Sequence, residues 1–152
     1  MLLRQQSAVK SFYDEDEIKS VYYPECEHVM KEATGATRVV AFDHIVRNAA
    51  MAALEGSCIK IPAKRVYNDY TAWSSPKQAH DLMGDEAEEL LKHRFAIINL
   101  WRPIRGPVVE SPSDAPPRES LEVRTLVFYP PDAWRAVFVA QRGRAIAYRS
   151  LV

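Results

Sequence analysis

Tyr67 and Asp69, in the run Arg65-Val66-Tyr67-Asn68-Asp69-Tyr70-Thr71, are the residues whose types and spacing could do chemistry. The run reads as a short strand, and alternation puts Arg65, Tyr67 and Asp69 on one face. A phenol and a carboxylate two apart on a strand point into the same space. With His in place of Tyr67, the pair would open a 2-His-1-carboxylate site for non-haem iron. With Tyr67, the chemistry within reach is acid–base: Asp69 as base or orienter, Tyr67 as proton donor.

The rest of the chain must position that pair. A chain of 152 residues is expected to form a single domain spanning 1–152. Lys+Arg and Asp+Glu balance at 20 each, which argues against a nucleic-acid binder or a binder of anionic membranes. No apolar run is long enough to span a bilayer, and the first residues lack the apolar core of a signal peptide. Two cysteines, Cys26 and Cys58, without a C-x-x-C pair, read as reduced thiols of a cytoplasmic protein.

Pro24 at a helix start, Cys26, Val29, Met30 and Ala33 at helical spacing, and Gly35 as terminator predict a helix over Pro24–Thr34, with Cys26 in the core. Thr37–Val46 is β-branched and reads as a strand, with His44 an ordinary strand histidine holding one hydrogen bond. Residues 48–63 have room for one helical turn. Ser74 or Ser75 is expected to cap a helix with Pro76 at its first position. Gly84 ends that helix, and Asp85-Glu86-Ala87-Glu88 starts another in the manner of a capping box. His80 and His93 are placed on the surface.

Phe95–Arg102 carries apolar residues in both alternating rows, so a well-covered strand is expected, with Trp101 buried. Five of the ten prolines fall between Pro103 and Arg118, which excludes a helix or a central strand there. Ser120–Phe128 alternates cleanly, with Leu121, Val123, Thr125 and Val127 on one side. The tail 131–152 is basic, carries no motif, and holds one short strand near Val137–Val139. The expected core includes Val29, Val39, Phe42, Ile97, Leu100, Trp101, Val123 and Val127. The fold class is α+β, with a largely antiparallel sheet and flanking helices.

Four stretches resemble a known family: Ala33–His44, Val66–Thr71, Arg94–Val108 with its Trp-Arg-Pro-Ile-x-Gly-Pro-Val block, and Pro116–Arg124. They are similar to the AsaB-like hydroxylase/desaturases, also described as CmcJ/NvfI-like, over residues 7–129. The resemblance implies an Fe(II)/2-oxoglutarate oxygenase-like fold, here a partial or shortened double-stranded β-helix of jelly-roll type. It implies a small-molecule substrate in secondary metabolite biosynthesis.

Asp69 matches the family's carboxylate ligand, and Tyr67 stands where the family has its first His ligand. The family's long stretch with a second His is reduced to Val109–Pro117, so no metal ligand set is expected. Arg118 and Ser120 match the Arg-x-Ser pair that resembles a 2-oxoglutarate clamp, with Arg124 nearby; an arginine at a strand start is the plainer alternative. Iron and 2-oxoglutarate are therefore expected as cofactors only if the family site survives.

Three readings stand open. The chain is a shortened oxidoreductase without intact iron chemistry, a metal-free isomerase, cyclase or dehydratase using the same cleft, or a non-catalytic binding or assembly subunit. A shortened sheet exposes strand edges, which the tail, helices or a second copy in a homo-oligomer would cover.

Overall fold

The computed structural model describes residues 3, 5–63, 69–105, 118–131, 137–141 and 144–148, the last two stretches by backbone alone. A short helix α1 (Glu15–Glu17) leads through a π-helical turn (Ile18–Tyr22) into α2 (Tyr23–Thr34). Asp14 caps the start by accepting from the Glu17 N–H. Gly35 closes α2 in the left-handed region at φ 69°, a conformation that glycine adopts without a Cβ clash. Cys26, Val29 and Met30 are buried along the face that the spacing predicted, and burial pushes the Cys26 thiol up to about 12.

Strand β1 (Arg38–Arg47) follows, then one turn of helix α3 (Ala49–Ala52), whose cap Asn48 accepts from the Ala50 and Met51 N–H groups. Helix α4 (Ser74–Met83) runs through a 3-10 turn (Gly84–Glu86) into α5 (Ala87–Leu91). Ser74 is the first helical residue of α4 rather than its cap, and Pro76 is the third. The start is fastened one step earlier: Thr71 Oγ1 accepts from the Ser74 N–H at 3.1 Å, and Ser74 Oγ accepts from the Thr71 N–H at 2.8 Å. No side chain caps α5, so its capping box is not formed.

Strands β2 (Phe95–Pro103) and β3 (Ser120–Phe128) complete an antiparallel sheet in the order β1-β3-β2. The tail forms a separate hairpin of β4 (Val137–Gln141) and β5 (Arg144–Tyr148). Apart from the hairpin, this is the expected α+β arrangement of an antiparallel sheet with helices against it.

Strand β3 is central, and its two rows of side chains define two layers. Leu121, Val123, Thr125 and Val127 are fully buried on one face. There they meet Ile18, Tyr22, Cys26 and Met30 of the N-terminal helices, with Val39 and Ala41 of β1. On the other face only one end is apolar. Leu126 and Phe128 pack with Ala79, Met83 and Ala87 of α4 and α5, and Val40, Phe42, Phe95 and Ile97 lie against them.

The well-covered reading of β2 is corrected by this topology. Among the described residues β2 pairs with β3 alone, so it is an edge strand, and Trp101 is 41% exposed rather than buried. An edge position also explains why Pro103, which lacks an N–H, can end the strand.

The predicted strand Arg65–Thr71 lies in large part outside the described residues, including Tyr67. Asp69, Tyr70 and Thr71 are described, and they form a bend and coil rather than a strand.

Candidate functional site

Beyond the apolar end covered by α4 and α5, the same sheet face turns polar. In register order β3 contributes Arg124 and Glu122, β2 contributes Asn99 and Trp101, and β1 contributes Asp43 and Arg47. Asp69 reaches this group from the bend before α4.

A β-bulge places Asp43. Ala41 pairs with Thr125, but the next paired residue is Asp43, opposite Arg124, so Phe42 is the extra residue. Simple alternation would send Asp43 to the helix-covered face with Ala41. The bulge instead puts Phe42 and Asp43 on one face, re-aiming the carboxylate. His44 then falls on the opposite face, where its Nδ1 shares a 2.8 Å hydrogen bond with the Tyr23 hydroxyl. Burial is the main influence lowering the His44 pKa. The expectation of an ordinary strand histidine with one partner is met.

Arg124 is the hub. Its Nη2 donates to Asp69 Oδ1 at 2.9 Å and its Nη1 pairs with Asp43 Oδ2. Asn99 Nδ2 donates to Asp69 Oδ2 at 2.8 Å and to Glu122 Oε1 at 3.0 Å. Glu122 Oε2 lies 3.9 Å from Arg47 Nε, and Arg47 also donates to the Ile61 carbonyl at 3.2 Å. The side chains of Arg124 and Asp69 are only 11% and 13% exposed, so the pair is shielded from solvent screening.

Burial raises the Asp69 pKa, but the hydrogen bonds from Arg124 and Asn99 and the charges of Arg124 and Arg47 outweigh it, leaving the carboxyl below its ordinary 3.8. Burial likewise lowers the Arg124 pKa, and the two carboxylates more than reverse that.

A folded pKa below the unfolded one contributes stability above the unfolded value, and that stability is lost as pH falls through the folded value. Asp69→Asn should therefore flatten the loss of stability below about pH 3.8, as read from urea midpoints at successive acidic pH values.

The residues expected to bind a cofactor lie apart. Ser120 is fully buried, and its Oγ has no hydrogen-bond partner among the described residues. Arg118 holds its guanidinium 5.3 Å from the Trp101 ring centroid and donates to the Ala63 carbonyl at 3.4 Å. Neither hydrogen-bonds to Asp69 or Arg124. Asp69 and Arg124 are thus brought together, Arg118 and Ser120 are not joined to them, and Tyr67 is outside the described residues.

Sequence reasoning passed over Asn99, Glu122 and Arg47, and took Asp43 only as a neighbour of His44. A signal existed in the alternation itself. The rows Ile97-x-Asn99-x-Trp101 and Glu122-x-Arg124 both break from apolar to polar toward the same end of the sheet.

An iron centre of two His and one carboxylate does not fit the described residues. Asp69 has a nitrogen donor on each oxygen, and His44 is turned to the other face. Among the described residues no three His, Cys, Asp or Glu are grouped to hold a metal ion.

Residues 1–113 match the family model described as an oxidoreductase/YMDC permease-like domain. The chain belongs to this oxidoreductase family, the AsaB- and NvfI-like group that its motifs resemble.

The alpha-ketoglutarate-dependent dioxygenase phiK of a fungal species is 32% identical over 108 residues, covering 68% of this chain and 39% of the relative. The hydroxylase/desaturase efuI of Hormonema carpetanum is 30% identical over 146 residues, covering 86% of this chain and 49% of the relative. The chain thus spans half or less of the length of these curated relatives. Among solved structures, the iron and alpha-ketoglutarate-dependent endoperoxidase NvfI superposes with a TM-score of 0.67 at 22% identity, over 76% of this chain and 71% of the other. That likeness establishes a shared fold. No helix among the described residues is long and apolar enough to cross a membrane.

Proposed function

We propose that this chain is a shortened member of the hydroxylase/desaturase family that holds a small molecule over the polar half of its sheet without iron chemistry of its own. The observation that carries the reading is the engagement of both Asp69 oxygens, one by Arg124 and one by Asn99. A carboxylate matched to a metal-ligand position serves here as an ion-pair partner. Neutral imidazole and free carboxylate oxygens are what Fe(II) requires, and the described residues of the cluster offer guanidinium, amide and paired carboxylates.

The fold is read as a partial double-stranded β-helix, with Val109–Pro117 in place of a longer stretch. Asp69 acts as an orienter and acceptor. A carboxyl held below its ordinary range is a weak base near neutral pH, so the base role passes out of the proposal. Tyr67 remains the proposed proton donor. Arg118 and Ser120 remain the proposed anion contacts, Arg118 after leaving the Trp101 ring.

Oxygen uptake with added Fe(II) and 2-oxoglutarate tests the reading. Uptake is expected to match that of free iron with 2-oxoglutarate. Protein-dependent uptake with stoichiometric succinate formation would overturn it.

A further inference from the structure

The bulge in β1 has an anchor on the opposite side of the sheet. At the break in register, the Ala41 N–H donates to Glu27 Oε1 at 2.9 Å, and Glu27 comes from α2, which packs on the helix-covered face. Three residues on, the His44 N–H donates to Asp43 Oδ1 at 2.8 Å, and the other oxygen of Asp43 pairs with Arg124. Side-chain carboxylates thus satisfy two backbone donors of the bulge, and one of those carboxylates also holds the hub arginine. A bulge leaves its extra residue outside the ladder, so groups that fix it also fix the aim of the side chains it presents.

We infer that Glu27 and Asp43 are positioning residues that hold the Arg124 guanidinium against Asp69, Glu27 by fixing the bulge and Asp43 by gripping the guanidinium from the other side. This rests on the proposal that Asp69 is the working carboxylate. Asp43 leaves one Arg124 nitrogen, Nη2, facing Asp69, and Asn99 on β2 fixes the second Asp69 oxygen. Without Asp43, Arg124 keeps Asp69 as its one ion-pair partner among the described residues and loses the grip on its other nitrogen that fixes how it meets Asp69.

The test is the titration of the Asp69 carboxyl, followed by carbon-detected NMR in the whole chain without ligand. Among the described residues the groups that face it are Arg124, Asn99, Arg47 and Tyr70, with Asp43 acting through Arg124 and Glu122 through Asn99.

Positioning and plain electrostatics give opposite signs. Removing a nearby negative charge by itself makes Asp69 more acidic, whereas loosening Arg124 makes it less acidic. Asp43→Asn is therefore expected to raise the Asp69 midpoint toward 3.8. Glu27→Ala is expected to raise it as well. Glu27→Gln keeps the Oε1 acceptor and loses the same charge, and should leave the midpoint where it is.

A fall or no change in Asp43→Asn, or equal shifts in Glu27→Ala and Glu27→Gln, would overturn the inference. Should Glu27→Ala fail to fold, Glu27→Leu, which keeps the bulk and loses the acceptor for the Ala41 N–H, takes its place: a raised midpoint is expected, and no change or a fall would overturn the inference. The readout involves neither oxygen nor turnover, so it fails or succeeds separately from the proposed function.

Discussion

Arg124→Met is expected to lower stability by about 3 kcal/mol, at the near end of the range for breaking a buried ion pair. The Arg124 side chain is 11% exposed and serves two carboxylates, Asp69 at 13% and Asp43 at 49%. Methionine fills similar space but, among the described residues, leaves Asp69 with Asn99 alone as a hydrogen-bond donor. The half-exposed Asp43 can turn to water, so most of the loss falls on Asp69. Adding Asp69→Asn should recover a large part of it, because the uncompensated charge is then gone. A urea titration with unchanged slope would read both effects. A loss under about 1 kcal/mol, the value of an exposed pair, would show that the cluster is solvated.

Phe128→Ala is expected to cost about 3–5 kcal/mol, the range for large aromatic truncations in a core. Phe128 is 1% exposed, stacks on Phe95 with ring centroids 6.2 Å apart, and closes the layer between the sheet and α4 and α5. Trp101→Ala, at a position 41% exposed, should cost clearly less than Phe128→Ala. Chemical denaturation of the two variants side by side checks the layering, and equal losses would contradict it.

The elements were legible where local chemistry is decisive. Pro24 and Gly35 bracket α2, Gly84 stops α4, and the alternating apolar row of Ser120–Phe128 fixes which face of the central strand is covered. What alternation could not supply is neighbour count. Phe95–Arg102 has apolar residues in both rows, which reads as double burial, yet among the described residues it pairs on one side only, and Trp101 is 41% exposed. Nor could it supply the bulge. A strict period of two puts Asp43 on the wrong face, and one extra residue, Phe42, reverses that.

The candidate site was half legible for the same reason. Asp69 is singled out by its spacing and the resemblance, and Arg124 by its nearness to the Arg-x-Ser pair; the structure shows them hydrogen-bonded to each other. The pairing of Arg124 with Asp43 as well as Asp69, and the link from Asp69 through Asn99 to Glu122, depend on register between strands distant in sequence. Arg118 was placed by motif, and cation–π attraction to Trp101 holds it apart from Asp69 and Arg124.

The most direct measurement is iron retention. Protein would be loaded with Fe(II) under anaerobic conditions, desalted, and assayed for metal, alongside Asp69→Asn. With Asp69 held by Arg124 and Asn99, iron should wash out of both proteins to the same low level. Near-stoichiometric iron retained by the parent and lost in Asp69→Asn would show that Asp69 leaves its ion pair to bind metal, and would contradict the account.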